Sequence, residues 1–461
     1  MNYLTVDFGS TFTKLTFIDS IREEVISTSA AFTTIDTNVM DGFGKALQNL
    51  ENKIGQFKYD RLLCCSSAAG GLKMVALGLV PELTAKAAKM AASSAGAKVI
   101  KTYSFEISKR EQDEIYQINP DLVLLCGGTD GGNKEVIIAN AIRLSQIERN
   151  FSIIVAGNKS ASYQIEEIFS KSGKDFVITD NVMPYFNNLV IEPAKSSIKD
   201  LFIRKIVEAK GLSTIQNMTD FKIIPTPLAV MYGCELLSKG TSKNPGIGDL
   251  MAIDIGGATT DVYSMSKGNP SVSNVMIKGI PEPYSKRSVE GDLGMRYSLS
   301  SVCEQVDIEM LSIKYGIDIK IIKDWIELCI NNPDTISQNG SIQERVEAII
   351  AREAISIAVQ RHAGVMESIF TPMGEIYTLT GKDLTQVESV IGIGGAIKNS
   401  SDPTFILEGA KFDLSNITST KPKNPCYMID EKYIFASMGL LSTVDKDLAF
   451  KILKKEIKQI N

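Results

Sequence analysis

The sequence predicts an α/β protein of two duplicated lobes, with a further α/β domain inserted into the first lobe. Its 461 residues exceed what one ordinary core accommodates, so two or more domains are expected. A strand–turn–strand unit near the start returns in the second half of the chain. Between the two copies, strands alternate with helices, as in a parallel sheet.

The duplicated unit has the same design in both places. Residues 3–8 have strand character that ends at Gly9, and residues 13–18 resume the alternation of a strand. Residues 250–264 repeat this order of strand, polar turn and strand. The copies share architecture rather than sequence, which indicates a diverged internal duplication.

The segment between the copies predicts an inserted α/β domain, because the apolar run at residues 121–126 is typical of a buried parallel strand. A glycine-rich turn at 127–133 follows it. The predicted helices are 83–95 and 134–147, and the other predicted strands are 99–105, 151–156 and 175–179. The predicted domains are 1–65 (first lobe), 66–185 (inserted domain), 186–245 (completion of the first lobe), 246–432 (second lobe) and 433–461 (helices returning to the first lobe).

After residue 264 the pattern predicts a largely helical chain, with strands returning only near the end. The predicted helices are 300–315, 317–331, 342–366, 434–442 and 447–460, and the predicted strands are 376–380 and 389–393.

The composition argues against several classes of function. The net charge of −5 and the absence of a concentrated basic patch argue against a general affinity for nucleic acid. We expect no signal peptide, because Asp7 interrupts the first apolar stretch, and no membrane span, because no apolar run approaches eighteen residues. Seven cysteines, mostly in apolar runs, fit reduced thiols in the cytoplasm. The vicinal pair Cys64-Cys65 is interpreted as small buried residues near a strand end.

The chain has a single histidine, His362, which excludes multi-histidine metal centres. It follows Arg361 at the end of a predicted helix, where both side chains favour the negative end of the helix dipole. A structural role is therefore the prediction for His362.

The first turn has the sequence Asp7-Phe-Gly-Ser-Thr-Phe-Thr-Lys14. Backbone N–H groups in such a turn can point at an anion, Gly9 permits close approach, and Ser10 and Thr11 add hydroxyl donors. Lys14 can meet a phosphate as a point charge. Asp7 is suited to hold Mg²⁺, usually through water. Taken alone, the segment fits an ordinary polar hairpin equally well.

The second turn has the sequence Asp254-Ile-Gly-Gly-Ala-Thr-Thr-Asp261. Its two carboxylates flank a glycine turn and suit a divalent ion or an attacking water. Two solvated carboxylates in a hairpin are the alternative, which the matching first turn disfavours. The candidate phosphate-binding residues here are Gly256, Gly257, Thr259 and Thr260.

These two motifs resemble the first and second phosphate motifs of the actin, Hsp70 and sugar-kinase superfamily. The segment Ile391-Gly-Ile-Gly-Gly-Ala396 is similar to its adenosine motif, with Gly394 and Gly395 beneath the nucleotide. The resemblance implies an actin-like ATPase fold of duplicated RNase H-like domains. It also implies ATP with Mg²⁺ as cofactors, held between two domains that open and close. Asp7, Asp254 and Asp261 are the implied metal-binding and catalytic residues.

A narrower resemblance is to the glutamate mutase MutL family, which is unrelated to the mismatch-repair protein of that name. It rests on Leu125-Cys-Gly-Gly-Thr-Asp-Gly-Gly-Asn133, Thr179-Asp-Asn-Val-Met-Pro184 and Ser288-Val-Glu-Gly-Asp-Leu-Gly-Met-Arg296. The implied role is reactivation of an adenosylcobalamin-dependent mutase, the protein partner, by ATP-driven release of damaged cobalamin. The turn at 127–133 fits a ligand site or a plain turn. Glu290, Asp292 and Arg296 fit a partner contact or a charged helix start.

Other functions stay open beside the reactivating chaperone. A small-molecule kinase needs a base aimed at a substrate hydroxyl, and no residue is a convincing one. A non-catalytic actin-type scaffold is compatible with the motifs, as is a homo-oligomer. A mutase subunit needs a D-x-H-x-x-G motif, which the surroundings of His362 lack. A radical-dehydratase activator needs paired cysteines for a bridging cluster, which Cys64, Cys65 and Cys126 fit poorly.

Overall fold

A computed structural model of the chain describes residues 1–9, 12–33, 38–67, 73–207, 212–372 and 374–460. The predicted phosphate-loop residues Ser10 and Thr11 lie outside this range. The described chain divides into two compact units. Unit 1 comprises Met1–Gly233, Gly279–Pro281 and Ala436–Leu448, and unit 2 comprises Cys234–Lys278, Glu282–Phe435 and Ala449–Asn461.

In the described part of residues 1–239, the elements follow in chain order. They are β1 (Asn2–Phe8), β2 (Phe12–Asp19), β3 (Glu24–Phe32), α1 (Val39–Ile54), β4 (Arg61–Ser66), β5 (Lys73–Gly78), a π-helical turn (Pro81–Ala85), α2 (Lys86–Ser94), β6 (Lys98–Ser104), α3 (Lys109–Ile118), β7 (Leu122–Leu125), α4 (Glu135–Ser145), β8 (Ser152–Val155), α5 (Ser162–Ser172), β9 (Phe176–Ile178), α6 (Glu192–Val207), α7 (Leu212–Met218), β10 (Ile224–Pro225) and α8 (Thr226–Lys239).

The first sheet of unit 1 has the strand order β10-β4-β1-β2-β3. β1 pairs antiparallel with β2 and parallel with β4, so it lies at the centre, and its Leu4, Val6 and Phe8 are fully buried. Helix α1 begins at Asn38, whose side chain accepts a hydrogen bond from the backbone of Met40. The buried residues of α1 recur at helical spacing and cover β2 and β3.

The second sheet of unit 1 is wholly parallel, with the order β6-β5-β7-β8-β9. β7 and β8 are buried along their whole length, which explains the unbroken apolar runs that predicted them. The predicted α/β character of this segment is confirmed. The predicted helix at 83–95 is a π-helical turn that continues into α2. The domain boundaries given above stay predictions.

From residue 250 onward, the described elements continue in chain order. They are β11 (Leu250–Ile255), β12 (Thr260–Met265), β13 (Val275–Lys278), β14 (Ser285–Glu290), α9 (Leu299–Gln305), α10 (Ile308–Tyr315), α11 (Ile319–Asn331), α12 (Ile342–His362), β15 (Val365–Thr371), β16 (Gly374–Thr380), β17 (Ser389–Ile393), α13 (Gly395–Lys398), α14 (Pro403–Leu407), β18 (Cys426–Ile429), α15 (Phe435–Leu441), α16 (Lys446–Glu456) and β19 (Lys458–Ile460).

The main sheet of unit 2 has the order β14-β12-β11-β17-β18-β19. Its first five strands repeat the pattern of the first sheet: an antiparallel β11–β12–β14 meander, with β17 and β18 added in parallel beside β11. The predicted fold class is confirmed: two RNase H-like domains of actin-like topology, with an α/β insertion in the first. β13, β16 and β15 form a separate small sheet.

Several predictions for the second half were wrong. The helix predicted at 342–366 ends at His362, and the chain then enters β15. A side chain at Gly364 would lie 2.6 Å from the Lys382 carbonyl, so only glycine permits this close approach of the two backbones. β14 was missed because five of its six residues are charged or polar, and the last predicted helix ends at Glu456 before β19.

The helix predicted at 300–315 is two helices, because Asp307 caps the start of α10 by accepting a hydrogen bond from the backbone of Met310. Of the helices in the described part of the chain, none has both the length and the apolar character needed to cross a bilayer.

Candidate functional site

The first loop joins β1 to β2 in unit 1. Asp7 stands opposite Lys14 in the antiparallel ladder, and the Gly9 N–H donates to the Phe12 carbonyl at 3.0 Å. A Cβ at Gly9 would lie 2.6 Å from that carbonyl oxygen, so glycine is required here. The turn is therefore tight, with one acidic and one basic residue at its base.

Two residues that the sequence interpretation missed bind the Asp7 carboxylate. The Thr226 hydroxyl, at the start of α8, donates to Asp7 Oδ1 at 2.6 Å, and the Cys65 thiol donates to the same oxygen at 3.5 Å. Burial and then the nearby carboxylate raise the pKa of Cys65 well above its ordinary value. The thiol therefore stays neutral and serves as a donor.

The second loop joins β11 to β12 in unit 2. Asp254 and Asp261 are direct cross-strand partners, so both side chains project from one face of the sheet. The Gly256 N–H donates to the Thr259 carbonyl at 2.9 Å, and the Thr259 hydroxyl donates to Asp261 Oδ2 at 3.3 Å. The structure thus brings the two predicted carboxylates together.

The two carboxylates differ in their surroundings. Asp261 is buried and forms an ion pair with Arg287 of β14, at 2.7 Å from Nε and 2.6 Å from an Nη atom. Burial alone would lower the pKa of Arg287, but the Asp261 charge and hydrogen bond outweigh it and raise the pKa. Asp254 is only partly buried. The more accessible carboxylate of the pair is therefore Asp254.

The third loop joins β17 to α13, beside the second loop. Gly394 has φ of +110°, and a Cβ there would lie 2.2 Å from the Ile255 carbonyl oxygen. Only glycine fits this approach. A side chain at Gly395 would lie 3.2 Å from the Tyr433 hydroxyl. The predicted adenosine motif and the second phosphate motif therefore pack directly against each other in unit 2.

The turn at 127–133 is held rigidly at the carboxyl edge of the parallel sheet. The buried Asn158 side chain accepts from the Gly131 N–H at 3.1 Å and donates to the carbonyls of Gly132 and Asn133. Asn181, from the second family-like segment, donates to the Gly128 carbonyl and to Asp130, both at 3.0 Å. These two family-like segments therefore form one structural unit.

The charged residues of the third family-like segment make ion pairs with α12. Arg361 donates to Glu290 at 2.7 Å and to Asp292 at 2.9 Å, and Arg296 donates to Glu347 at 2.5 Å. These ion pairs therefore connect the third family-like segment to α12 of the same chain, and they need no protein partner.

His362 is the last residue of α12, and it is fully buried between the hydroxyls of Ser264 and Ser288, at 2.8 Å and 2.7 Å. Burial, and then the charges of Lys286 and Lys382, lower its pKa well below the usual range. A neutral imidazole gains nothing from the helix dipole, so that part of the prediction was wrong, whereas the structural role stands.

The seven cysteines are all unpaired, and Cys64 and Cys65 lie buried in β4, which confirms their interpretation. Among the described residues, no three histidine, cysteine, aspartate or glutamate side chains are grouped to hold a metal ion. Mg²⁺ does not need such a group, since one or two carboxylates with water and phosphate oxygens satisfy it. Asp7 and Asp254 are chemically suited to that task.

Comparisons with known proteins are consistent with the resemblances found in the sequence. The profile of the family described as MutL protein matches residues 3–457. Protein MutL of Clostridium tetanomorphum is 45% identical over 462 residues, which is 99% of this chain and 99% of the relative. Nucleotide-free acetone carboxylase aligns with 95% of this chain and 70% of its own, at 14% identity and a TM-score of 0.41. A xylulose kinase from Brucella ovis covers 98% and 92%, at 10% identity and a TM-score of 0.32.

Proposed function

Because the chain belongs to the MutL family, we propose that it is an ATP-dependent reactivating factor for an adenosylcobalamin-dependent mutase of the glutamate mutase or aminomutase type. The observation that supports ATP binding is the repeated hairpin. Each RNase H-like sheet begins with two antiparallel strands, and an aspartate stands at the same place before each glycine turn. Duplicated phosphate loops of this kind suit the binding of a nucleoside triphosphate.

In this proposal, the two hairpins have different roles in binding the nucleotide. Lys14 and the N–H groups of the first turn bind phosphate, together with Ser10 and Thr11. Asp7 of unit 1 and Asp254 of unit 2 are each suited to hold Mg²⁺ through water, and Asp254 would orient the attacking water. Gly9 permits close approach of the phosphate to the first turn. The second turn contributes further phosphate donors through Gly256, Gly257, Thr259 and Thr260. The adenosine lies on Gly394 and Gly395 of the third loop.

Asp261 has a different place in the proposal. Its carboxylate is neutralised by Arg287 at 2.6 Å and receives the Thr259 hydroxyl at 3.3 Å. A carboxylate held in this way is a weaker metal ligand and base than its neighbour. We therefore assign Asp261 to supporting the loop, with Asp254 as the residue on which turnover depends.

The client is the part that rests on family membership alone. The free energy of ATP hydrolysis would be coupled to release of damaged cobalamin from the mutase, after which intact coenzyme can bind. A kinase acting on a small molecule is the competing function. It requires a base beside the γ-phosphate, and the described residues offer no stronger candidate for that base than Asp254.

The test is a reactivation assay. An inactivated glutamate mutase or aminomutase receives the protein, ATP, Mg²⁺ and fresh adenosylcobalamin, and recovery of mutase activity is followed. Recovery should require ATP and should be lost with Asp254→Asn. It should survive Asp402→Asn, which alters an exposed helix-capping aspartate of the same unit. Absence of recovery, together with ATP-dependent phosphorylation of a metabolite, would establish the kinase instead.

A further inference from the structure

Three successive carbonyl groups of the second phosphate loop are held by one segment, residues 291–298, which we call the brace. The Gly256 carbonyl accepts from the Met295 N–H at 3.0 Å, and the Gly257 carbonyl accepts from the next two N–H groups, both at 2.8 Å. The Ala258 carbonyl accepts from the Ser298 hydroxyl at 2.8 Å. Three successive carbonyls of the loop therefore point toward the brace.

This arrangement fixes the direction of three N–H groups. In a planar trans peptide the C=O and the following N–H point in opposite directions, and the described chain has no cis peptide bond. The N–H groups of Gly257, Ala258 and Thr259 therefore point away from the brace. Successive N–H groups with a common direction form a concave anion site.

The brace is itself fixed in place. Gly294 lies so close to the loop that a Cβ would stand 2.4 Å from the Ala258 carbonyl carbon. The Thr260 hydroxyl donates to the Leu293 carbonyl at 2.5 Å. The same Ser298 hydroxyl lies 2.9 Å from the Gly291 carbonyl, so its one proton is shared between the loop and the start of the brace. The ion pairs of Arg361 and Arg296 then connect it to α12.

We propose that the brace is the positioning element of the phosphate site, and that it directs the three N–H groups toward the phosphate chain of a nucleoside triphosphate. Ser298 is its testable positioning residue, since its hydroxyl joins the brace to the loop through a single side-chain bond. The proposal rests on the proposed ATP function. It gives the segment 288–296 a role within the molecule, where the sequence left a partner contact and a helix start open.

The experiment compares Ser298→Ala with a matched control, Ser312→Ala. Ser312 is also a part-buried serine of unit 2 and donates to the Ile317 carbonyl at 2.7 Å, but it lies in α10, outside the loop and the brace. Each variant removes one part-buried hydroxyl donor, which Ser298 shares between two carbonyls and Ser312 gives to one, so their effects on stability should be similar. The readouts are the Kd for ATP–Mg²⁺ by calorimetry and the Tm of the ligand-free protein.

Ser298→Ala should raise the Kd about 3- to 10-fold, the equivalent of one positioned hydrogen bond. Ser312→Ala should leave the Kd unchanged, and Ser298→Thr, which keeps the hydroxyl, should restore it. An unchanged Kd in Ser298→Ala, or an equal rise in Ser312→Ala, would overturn the brace while ATP binding stands. Failure of the wild-type protein to bind ATP–Mg²⁺ would overturn the proposed function, and the brace with it.

Discussion

Asp261→Asn should strongly destabilise unit 2, although Asp261 lies in a polar hairpin, where a substitution ordinarily costs little. The side chains of Arg287 and Asp261 are only 3% and 12% exposed. Removing the carboxylate charge leaves the guanidinium buried without its partner, and breaking such a pair costs about 3–5 kcal/mol. Asparagine can still accept one hydrogen bond, so we expect the lower end, about 3 kcal/mol. Asp261→Asn combined with Arg287→Met removes both charges and should recover at least half of that loss.

Urea unfolding measures this effect directly, because the chain has a single tryptophan, Trp325, and it lies 7% exposed in the core of unit 2. Its fluorescence reports the unit that contains the ion pair. Asp254→Asn is the matched control in the same ladder, and it should change the free energy of unfolding by less than about 1 kcal/mol. A loss below 1 kcal/mol in Asp261→Asn, or no recovery in the double variant, would refute the reasoning.

Three further outcomes follow from the packing. Burial lowers the pKa of Lys382 to about 7, so above pH 7 the unfolded chain binds a proton that the folded chain does not. Lys382 should therefore contribute a rise in the free energy of unfolding on the order of 1 kcal/mol per pH unit between pH 7.5 and 9.5, measured by urea titration as the difference between the wild-type protein and Lys382→Met, and an equal pH dependence of the two proteins would contradict it. Gly394→Ala places a Cβ 2.2 Å from the Ile255 carbonyl oxygen at φ of +110°. It should lower the free energy of unfolding by about 3 kcal/mol or more and abolish the thermal shift that ATP induces. A normal thermal shift would contradict this prediction. Thr226→Val removes the donor at 2.6 Å from Asp7 and should lower the free energy of unfolding by about 1.5–3 kcal/mol, whereas an unchanged value would mean that water replaces the hydroxyl.

The parts of the fold that the sequence predicted correctly are those with local signals. The two hairpins are marked by strand alternation around a glycine turn, and the buried runs at 121–126 and 151–156 mark parallel strands. The seven-residue spacing of Asp254 and Asp261 was enough to predict that they face the same site, and they are cross-strand partners.

The residues that hold these carboxylates could not be predicted, because their signals are not local. Thr226 is 219 residues from Asp7 and belongs to no motif. Arg287 is 26 residues from Asp261, in a strand whose charged sequence hides its period. Both contacts exist only because strand order brings distant segments together, and strand order follows from packing of the whole sheet.

The two hairpins differ in how the negative charge of the aspartate before the glycine turn is compensated. Opposite Asp7 the ladder places Lys14, so the first hairpin carries its own cation. Opposite Asp254 it places another carboxylate, Asp261, and like charges directly across a ladder repel each other. The third strand compensates: β14 pairs with β12 and brings Arg287 onto Asp261. Arg287 pairs with Tyr263, two residues after Asp261, and the equivalent position in the first sheet is Thr28 of β3, which pairs with Thr16 and carries no charge. β14, which the hydrophobic pattern did not predict, is therefore the strand that stabilises the predicted carboxylate pair.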